Sequence, residues 1–349
     1  MKKLLICLAI FCAFSTQAFA KKANVVIIAT GGTIAGTAAS SSQATYSPAQ
    51  LMVEQILETV PGVKKLANIS SIQFSQISSQ NMTDELWLKL AKTVNETLAK
   101  SSVDGIVITH GTDTIEETAY FLNLVVKSRK PVVIVGSMRP SSSLSADGPL
   151  NLFNAIATAA NPISKNKGVL VVFNDNIYAA RDVSKINTTN VQGFASNNSG
   201  PIGTAYYGDV KFYYAPLRTH TADTIFDVKK LTKLPKVEIV YAHVDHSADV
   251  INNMVSDGVV GIVTAGVGDG NVNEKSLKSL IGASTAGVLV TRSSRLGSGF
   301  VVLNNEIEDD KYGFVTADNL NPQKARILLM LALTKTTDYK KIREMFDQY

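Results

Sequence analysis

Cysteine is almost absent from this chain of 349 residues, and tryptophan occurs once. Both cysteines, Cys7 and Cys12, lie in an N-terminal segment that we expect to be removed. Two lysines precede an apolar run from Leu4 to Phe14, and residues 18–20 form the small-x-small site of a cleaved secretory signal over residues 1–20. An apolar run of this length is too short to span a bilayer. The mature chain is therefore predicted to be secreted and to have neither a disulfide nor a thiolate metal ligand.

Metal, cofactor, nucleic-acid and membrane functions also find little support. The histidines His110, His220, His243 and His246 show no metal-ligand spacing, and we interpret His110 as a buried, hydrogen-bonded group. The glycines of Gly31–Gly36 match neither a dinucleotide-binding nor a phosphate-binding loop. Loss of the two signal lysines lowers the formal charge from +5 to +3, and there is no long Lys/Arg run. We expect no metal, no cofactor, no nucleic acid and no membrane partner.

What the chain does contain is an alternation of strand-like and helical segments, which predicts an α/β fold with a largely parallel sheet. Helices are predicted behind an N-cap at Thr83, from Ile115, and from Asn321-Pro322. The length favours two domains. We predict an N-terminal α/β catalytic domain over residues 21–212, a linker over 213–235 and a smaller C-terminal α/β domain over 236–349. The predicted strands are Asn24–Thr30, Asp104–Thr109, Pro131–Gly136, Gly168–Phe173, Val237–Ala242, Val259–Thr264 and Gly287–Thr291.

Two of these strands run directly into a Gly-Thr corner, one ending at Thr33 and the other at Thr112-Asp113. Ligands bind beyond the carboxyl ends of strands in open α/β sheets, so both threonines are expected to face one pocket. Two hydroxyls with an adjoining carboxylate favour acyl transfer by a threonine nucleophile. The alternative is structural: Thr33 caps the next helix, and Thr112 or Asp113 is the N-cap of the helix from Ile115.

Three further segments are candidates for the same site. Ser78–Asn81 offers hydroxyls and an amide, although polar residues before a helix usually cap it. Lys185 follows the strand at Gly168 and is either a desolvated base or an ordinary solvated lysine. The Ala/Ser/Thr/Gln-rich loop from Thr37 to Thr45, with Gly36 as a hinge, is either a lid over the site or an exposed connector.

At this point the motifs match a known family. From Asn24 to Tyr349 the chain closely resembles the bacterial L-asparaginases, and the secreted type II enzymes in particular. The similarity is in matched order and spacing. The motifs that carry it are ATGGTIAG (29–36), SSQNM (78–82), ITHGTDTIEETAYFL (108–122), VGSMRP (135–140), SADGPLN (145–151) and YGFV (312–315).

The resemblance implies an asparaginase-like two-domain fold, a periplasmic homotetramer, and active sites completed by a neighbouring subunit. The implied reaction is hydrolysis of L-asparagine to L-aspartate and ammonia through an acyl-enzyme intermediate. Thr33 would be the nucleophile and Tyr46 its proton acceptor. Thr112, Asp113 and Lys185 would form a second proton-handling set. Which set acts in which step does not follow from the sequence.

The resemblance also implies a substrate-binding set: Gly32, Ser79, Gln80, Thr112, Asp113, Ser137, Asp269 and Glu306, the last supplied by the adjacent subunit. Three positions depart from the family pattern. Ser137 stands where alanine is common, Asp269 where asparagine is common, and Lys275 where serine often occurs, with Ser276 next to it. The last two bear on turnover of glutamine, and a minor L-glutaminase activity stays open. We expect a strong preference for asparagine.

Two other functions fit parts of the pattern. A periplasmic solute-binding protein is also secreted, two-domain and α/β, and it closes on amino acids with similar contacts, but it needs no activated hydroxyl. A relative in the same family that acts on the glutamyl side chain of a transfer RNA is disfavoured by the secretion signal, because that substrate is cytoplasmic.

Overall fold

The computed structural model describes residues 22–42 and 45–349, so the predicted signal over residues 1–20 lies outside the described residues. The strands are β1 (Ala23–Gly31), β2 (Ala67–Ile77), β3 (Gly105–Thr109), β4 (Val132–Val135), β5 (Val169–Phe173), β6 (Asn176–Ala179), β7 (Ser184–Lys185), β8 (Phe194–Ala195), β9 (Gly203–Tyr206), β10 (Asp209–Phe212), β11 (Val237–Tyr241), β12 (Gly261–Gly266), β13 (Leu289–Ser294) and β14 (Val315–Thr316). The helices are α1 (Val53–Glu58), α2 (Val63–Leu66), α3 (Asp84–Leu98), α4 (Ile115–Val125), α5 (Gly148–Ala160), α6 (Asp249–Ser256), α7 (Glu274–Thr285), α8 (Asp309–Tyr312), α9 (Pro322–Leu333) and α10 (Tyr339–Gln348).

The larger sheet has eight strands in the order β10-β9-β6-β5-β4-β3-β1-β2. The five strands from β2 to β5 are parallel, whereas β6, β9 and β10 add an antiparallel edge. Consecutive residues of a strand point to opposite faces. In β1, Val25 and Ile27 enter the core on one face, and Val26 and Ile28 enter the core on the other. Both faces are covered, which explains the continuous apolar run of this strand.

The smaller sheet contains β11, β12, β13 and β14 in that order, and all of its pairs are parallel. Helix α9 contacts α4, the helix that follows β3 of the larger sheet, as well as β11, β12 and β13 of the smaller sheet. Its residues from Ile327 to Ala332 are buried in a core to which both sheets contribute. The two parts of the chain are thus packed together through α9.

The predicted α/β architecture with a mostly parallel larger sheet and a smaller α/β part is confirmed. Each predicted strand is present, with bounds shifted by at most three residues. Thr83 caps α3 by accepting a hydrogen bond from the Leu86 N–H, and Asn321 caps α9 in the same way from the Lys324 N–H. The domain limits at residues 212 and 235 stay a prediction.

Seven strands had no counterpart among the predictions: β2, β6, β9 and β10, and the two-residue strands β7, β8 and β14. β2 lies at a sheet edge and is half-buried and rich in Ser, Gln and Asn, so it lacks the apolar run of a central strand. β6, β9 and β10 have four residues each, which is too short for a clear period. Over residues 22–42 and 45–349, no helix has the length and apolar character needed to cross a membrane.

Candidate active site

The candidate site lies where three neighbouring parallel strands end. β1 runs between β2 and β3, so the carboxyl ends of all three meet at one edge of the larger sheet. β1 is followed by a 3₁₀ turn at Thr33–Ala35, and β2 by another at Ser79–Asn81. β3 leads into the corner before α4. The topology therefore brings the three sequence segments together, as expected for a ligand site in an open α/β sheet.

The corners after β1 and β3 touch through their backbones. Gly32 has a φ of +82°, a conformation that side chains rarely adopt. A Cβ atom added to Gly32 would lie 2.4 Å from both Cα and N of Gly111. A Cβ atom on Gly111 would in turn lie 2.6 Å from Oγ of Ser79. Glycine at both positions allows the three segments to approach closely enough to form one cavity.

Thr33 forms a hydroxyl pair with Tyr46. The Thr33 Oγ1 and Tyr46 Oη atoms share a hydrogen bond of 2.8 Å. Thr33 itself is buried, whereas Tyr46 is 36% exposed. The interpretation that Thr33 only caps the next helix is wrong, because Gly32 occupies the N-cap position and no side-chain cap bond is present.

The loop that carries Tyr46 begins and ends at a pair of backbone hydrogen bonds. Thr37 and Ser47 form an antiparallel bridge, with N–H to O distances of 3.0 and 2.9 Å. Ser141 and Leu144 also donate backbone hydrogen bonds to Gly36 and Ser41. Residues 43 and 44 of the predicted lid lie outside the described residues, and a lid function stays a prediction.

Thr112, Asp113 and Lys185 form a second group. The Lys185 ammonium donates to Thr112 Oγ1 at 2.9 Å and to Asp113 Oδ1 at 2.6 Å. Neither Thr112 nor Asp113 is the N-cap of α4, because that position belongs to Thr114, so the capping interpretation is wrong. The Lys185 side chain is only 18% exposed, so the interpretation as a solvated lysine is wrong as well.

Thr33 and Thr112 line one open cavity of about 80 Å³. Ser79 is buried in its wall, whereas Gln80 is exposed to it. Pro48 and Gly111 also line it and were not among the predicted site residues. Pro48 lies two residues after Tyr46 and Gly111 directly before Thr112, and this nearness in the sequence is the signal that would have found them. The full lining is Gly32, Thr33, Tyr46, Pro48, Ser78, Ser79, Gln80, Gly111, Thr112 and Asp113.

Three predicted substrate-binding residues do not line this cavity. Ser137 is buried beyond β4, where its hydroxyl donates to the Arg139 carbonyl at 2.8 Å. Asp269 follows β12 of the smaller sheet, and its carboxylate accepts from the Val302 N–H and the Asn305 amide. Glu306, the neighbour of Asn305, is exposed. Asp269 thus bonds to the residue next to Glu306, and neither Asp269 nor Glu306 lines the cavity at Thr33.

Lys275 and Ser276, the next pair of positions considered for the site, differ in burial. Lys275 is exposed in the first turn of α7. Ser276 is buried, and its hydroxyl bonds to His246 Nδ1 at 2.8 Å. Its hydroxyl is therefore held by His246 in this chain.

His110 lies directly before Gly111 and Thr112 of the site and bonds to the Gly111 backbone. It is fully buried, as predicted; Nδ1 donates to the Gly111 carbonyl at 2.8 Å, and Nε2 lies 2.9 Å from Thr118 Oγ1. Burial lowers the pKa of His110 from 6.5 to about 4, so the imidazole is neutral at pH 7. Among residues 22–42 and 45–349 there is no group of three or more His, Cys, Asp or Glu side chains that could hold a metal ion.

Comparison with known sequences identifies the family. The profile described as "Asparaginase, N-terminal" matches residues 24–218, and that of the "Glutaminase/Asparaginase C-terminal domain" matches residues 236–346. The chain belongs to the asparaginase family. Asparaginase relatives match over nearly the whole chain: it is 50% identical over 326 residues to "L-asparaginase 2" of Escherichia coli (strain K12), covering 93% of each chain. It is equally identical over the same length to "Probable L-asparaginase periplasmic" of Haemophilus influenzae, again covering 93% of each.

An asparaginase of known structure shares the fold. A crystal structure described as "Probable Cytoplasmic L-asparaginase from Campylobacter jejuni" superposes with a TM-score of 0.91 at 47% identity. The match covers 94% of this chain and all of that one. The two-domain asparaginase fold implied by the sequence motifs is confirmed.

Proposed function

We propose that this chain hydrolyses L-asparagine to L-aspartate and ammonia, with Thr33 as the nucleophile. The observation that carries the proposal is the arrangement of two threonine hydroxyls in one cavity, each with its own proton-transfer partner: Tyr46 at 2.8 Å for Thr33, and Lys185 at 2.9 Å for Thr112. A hydroxyl is a weak nucleophile unless a neighbouring group takes its proton. The membership of the asparaginase family supports the same substrate.

In the first step, Thr33 Oγ1 attacks the side-chain amide carbon of asparagine while its proton passes to Tyr46. Tyr46 Oη passes on its own hydroxyl proton as it accepts that of Thr33, and the amide nitrogen takes up the proton that is passed on and leaves as ammonia, which gives an aspartyl ester on Thr33. The backbone N–H of Thr112 makes no hydrogen bond to the described residues, so it is available to stabilise the oxyanion. Donors of this kind contribute about 3–4 kcal/mol in comparable enzymes.

In the second step, water attacks the ester and releases aspartate. We assign the activation of this water to Thr112, with Lys185 and Asp113 holding its hydroxyl in place. The same set can also move the proton of Thr33 in the first step. The Thr33 proton then has two routes, one to Tyr46 and one to the Thr112 set, and the close contact between the corners at Gly32 and Gly111 is consistent with both.

Substrate recognition follows from charge. Asp113 and Gln80 would face the ammonium of asparagine, and Ser79 with the backbone near Gly32 would hold its carboxylate. We further propose that the active site is completed in a homotetramer by Glu306 of a neighbouring subunit, since the chain's own Glu306 does not line the cavity. The signal-like residues 1–20 favour the periplasm as the location of the mature enzyme.

Side-by-side assays of ammonia release from asparagine and glutamine test this function. We expect rapid release from asparagine and slower release from glutamine, because the longer substrate depends more on contacts near Asp269 and Glu306. Equal turnover of both amides would overturn the preference for asparagine. Binding of either amino acid without ammonia release would favour a solute-binding protein instead and refute the proposed hydrolysis.

A further inference from the structure

Lys185 reaches Thr112 from a segment with little structure of its own. Strand β7 consists of Ser184 and Lys185 alone, and among the described strands it pairs only with the equally short β8. A small isolated hairpin of this kind has marginal stability. A lysine side chain is also flexible, so the position of its ammonium depends on how firmly its backbone is held. Something outside the hairpin must fix Lys185.

The Glu116 carboxylate is the direct anchor. Glu116 lies in the first turn of α4 and is 6% exposed. Its Oε2 atom accepts a hydrogen bond from the backbone N–H of Lys185 at 3.1 Å. Its other oxygen, Oε1, accepts from the side-chain amide of Gln323. Both oxygens of a buried carboxylate are thus used to join Lys185 to the smaller part of the chain.

The first turn of α9 holds the same segment at further points. The Lys324 ammonium is buried and donates to the carbonyl oxygens of Arg181 and Val183. Asn321, the N-cap of α9, donates to the hydroxyl of Ser184 at 3.2 Å. Since α9 is itself buried between the two sheets, its first turn is a rigid support for the residues that precede Lys185.

We propose that Glu116 and Gln323 are positioning residues for Lys185, so that the first turn of α9 fixes the ammonium against Thr112 and Asp113. This inference rests on the proposed hydrolysis. The bonds from Lys185 measure 2.9 and 2.6 Å, and a displacement of about 1 Å would take both beyond hydrogen-bonding distance. Misplacement of that size costs about a hundredfold in rate in other enzymes.

The test compares Glu116→Ala and Glu116→Gln with the control Glu117→Gln, which changes the next residue of α4. The side chain of Glu117 makes no hydrogen bond in the described part of the chain. Alanine removes both bonds of Glu116, and we expect kcat for asparagine to fall at least tenfold, with KM changed less than about threefold. Glutamine retains an acceptor for the Lys185 N–H, and its amide can donate to a reoriented Gln323. We expect Glu116→Gln and Glu117→Gln to retain kcat within about threefold.

An exchange of partners separates positioning from folding. Gln323→Glu alone places two carboxylates in contact, and we expect at least a tenfold loss of kcat. The double variant Glu116→Gln/Gln323→Glu restores a donor and an acceptor, and kcat should return to within about threefold of wild type. This pair also tests the proposal if Glu116→Ala does not fold.

The outcomes are distinct. A Glu116→Ala protein that melts at a lower temperature yet keeps its kcat would overturn the inference, because the contact would then serve folding only. A double variant no better than Gln323→Glu would overturn it too. A wild-type protein that releases no ammonia from asparagine would instead refute the proposed function, and the inference with it.

Discussion

Acidification is expected to destabilise this protein in part through His110. Burial lowers the pKa of His110 from 6.5 to about 4. In the unfolded chain the imidazole takes up a proton near pH 6.5, whereas in the folded chain it does so only near pH 4. The stability that comes from a neutral His110 is therefore fully present above pH 6.5 and is lost as the pH falls from 6.5 towards 4.

The hydrogen bonds around His110 explain why the neutral form is favoured. The Gly111 carbonyl can only accept, so Nδ1 carries the proton. Thr118 accepts from the Trp87 indole N–H at 2.8 Å and donates its own hydrogen to Nε2 of His110. A second proton on Nε2 would face the Thr118 hydroxyl hydrogen, so Thr118 would have to reorient in a fully buried site.

The magnitude follows from the size of the pKa difference. One unit of pKa corresponds to about 1.4 kcal/mol, so a pKa lowered from 6.5 to about 4 contributes about 3 kcal/mol that is lost between pH 7 and pH 4. This is a large share of the 5–15 kcal/mol that is typical of a folded protein. The loss should therefore be measurable in an equilibrium unfolding experiment.

Urea unfolding at pH 7 and pH 4, followed by tryptophan fluorescence at one protein concentration, provides the assay. Trp87 is the only tryptophan, and it is buried against Phe121 close to His110. The comparison is between wild type and His110→Gln, which has no imidazole to titrate. We expect the stability of wild type relative to the variant to fall by about 3 kcal/mol on acidification. A stability difference that is the same at both pH values would refute the reasoning.

Two further predictions concern the backbone contact and a buried ion pair. Gly32→Ala should lower kcat for asparagine by at least about a hundredfold, because its Cβ would collide with Gly111. The control is Gly258→Ala: Gly258 also has a positive φ, of +76°, but a Cβ there would have no atom within 4 Å, so kcat should be unchanged. Equal loss of kcat in both variants would contradict the role of the contact. The side chains of Arg292 and Asp309 are 1% and 0% exposed and share hydrogen bonds of 2.6 and 2.8 Å. Arg292→Met leaves the buried carboxylate without this partner, so the free energy of unfolding measured in urea should fall by about 3–5 kcal/mol. A fall below about 1 kcal/mol would be inconsistent with an unpaired buried carboxylate.

The sequence was sufficient to predict the central strands and the position of the site. Val25–Ile28 and Ile106–Thr109 are buried on both faces, so their apolar runs are unambiguous, and parallel strands necessarily bring their carboxyl ends to one edge. Thr33 and Thr112 followed from these strands alone. Tyr46 and Lys185 did not, because tertiary contacts bring them to the site. The residues alone left Lys185 open between a desolvated base and a solvated lysine, and the family resemblance gave both residues their roles.

The support around Lys185 could not be predicted in the same way. Glu116 appeared in the sequence only as an acidic residue in the first turn of a helix. The signal that it is buried is its spacing of three residues from Ala119 on the apolar face of α4. Its partner Gln323 lies 207 residues further along the chain, and no local pattern connects the two. Tertiary packing of α9 between the sheets determines that contact.

The most direct test of the central claim is the activity of Thr33→Ala beside Thr33→Ser and wild type, with aspartate binding measured by calorimetry for each. We predict that the alanine variant loses ammonia release from asparagine by more than about a thousandfold, while it still binds aspartate and the serine variant retains measurable turnover. Ammonia release by Thr33→Ala within about tenfold of wild type would contradict the assignment of Thr33 as the nucleophile.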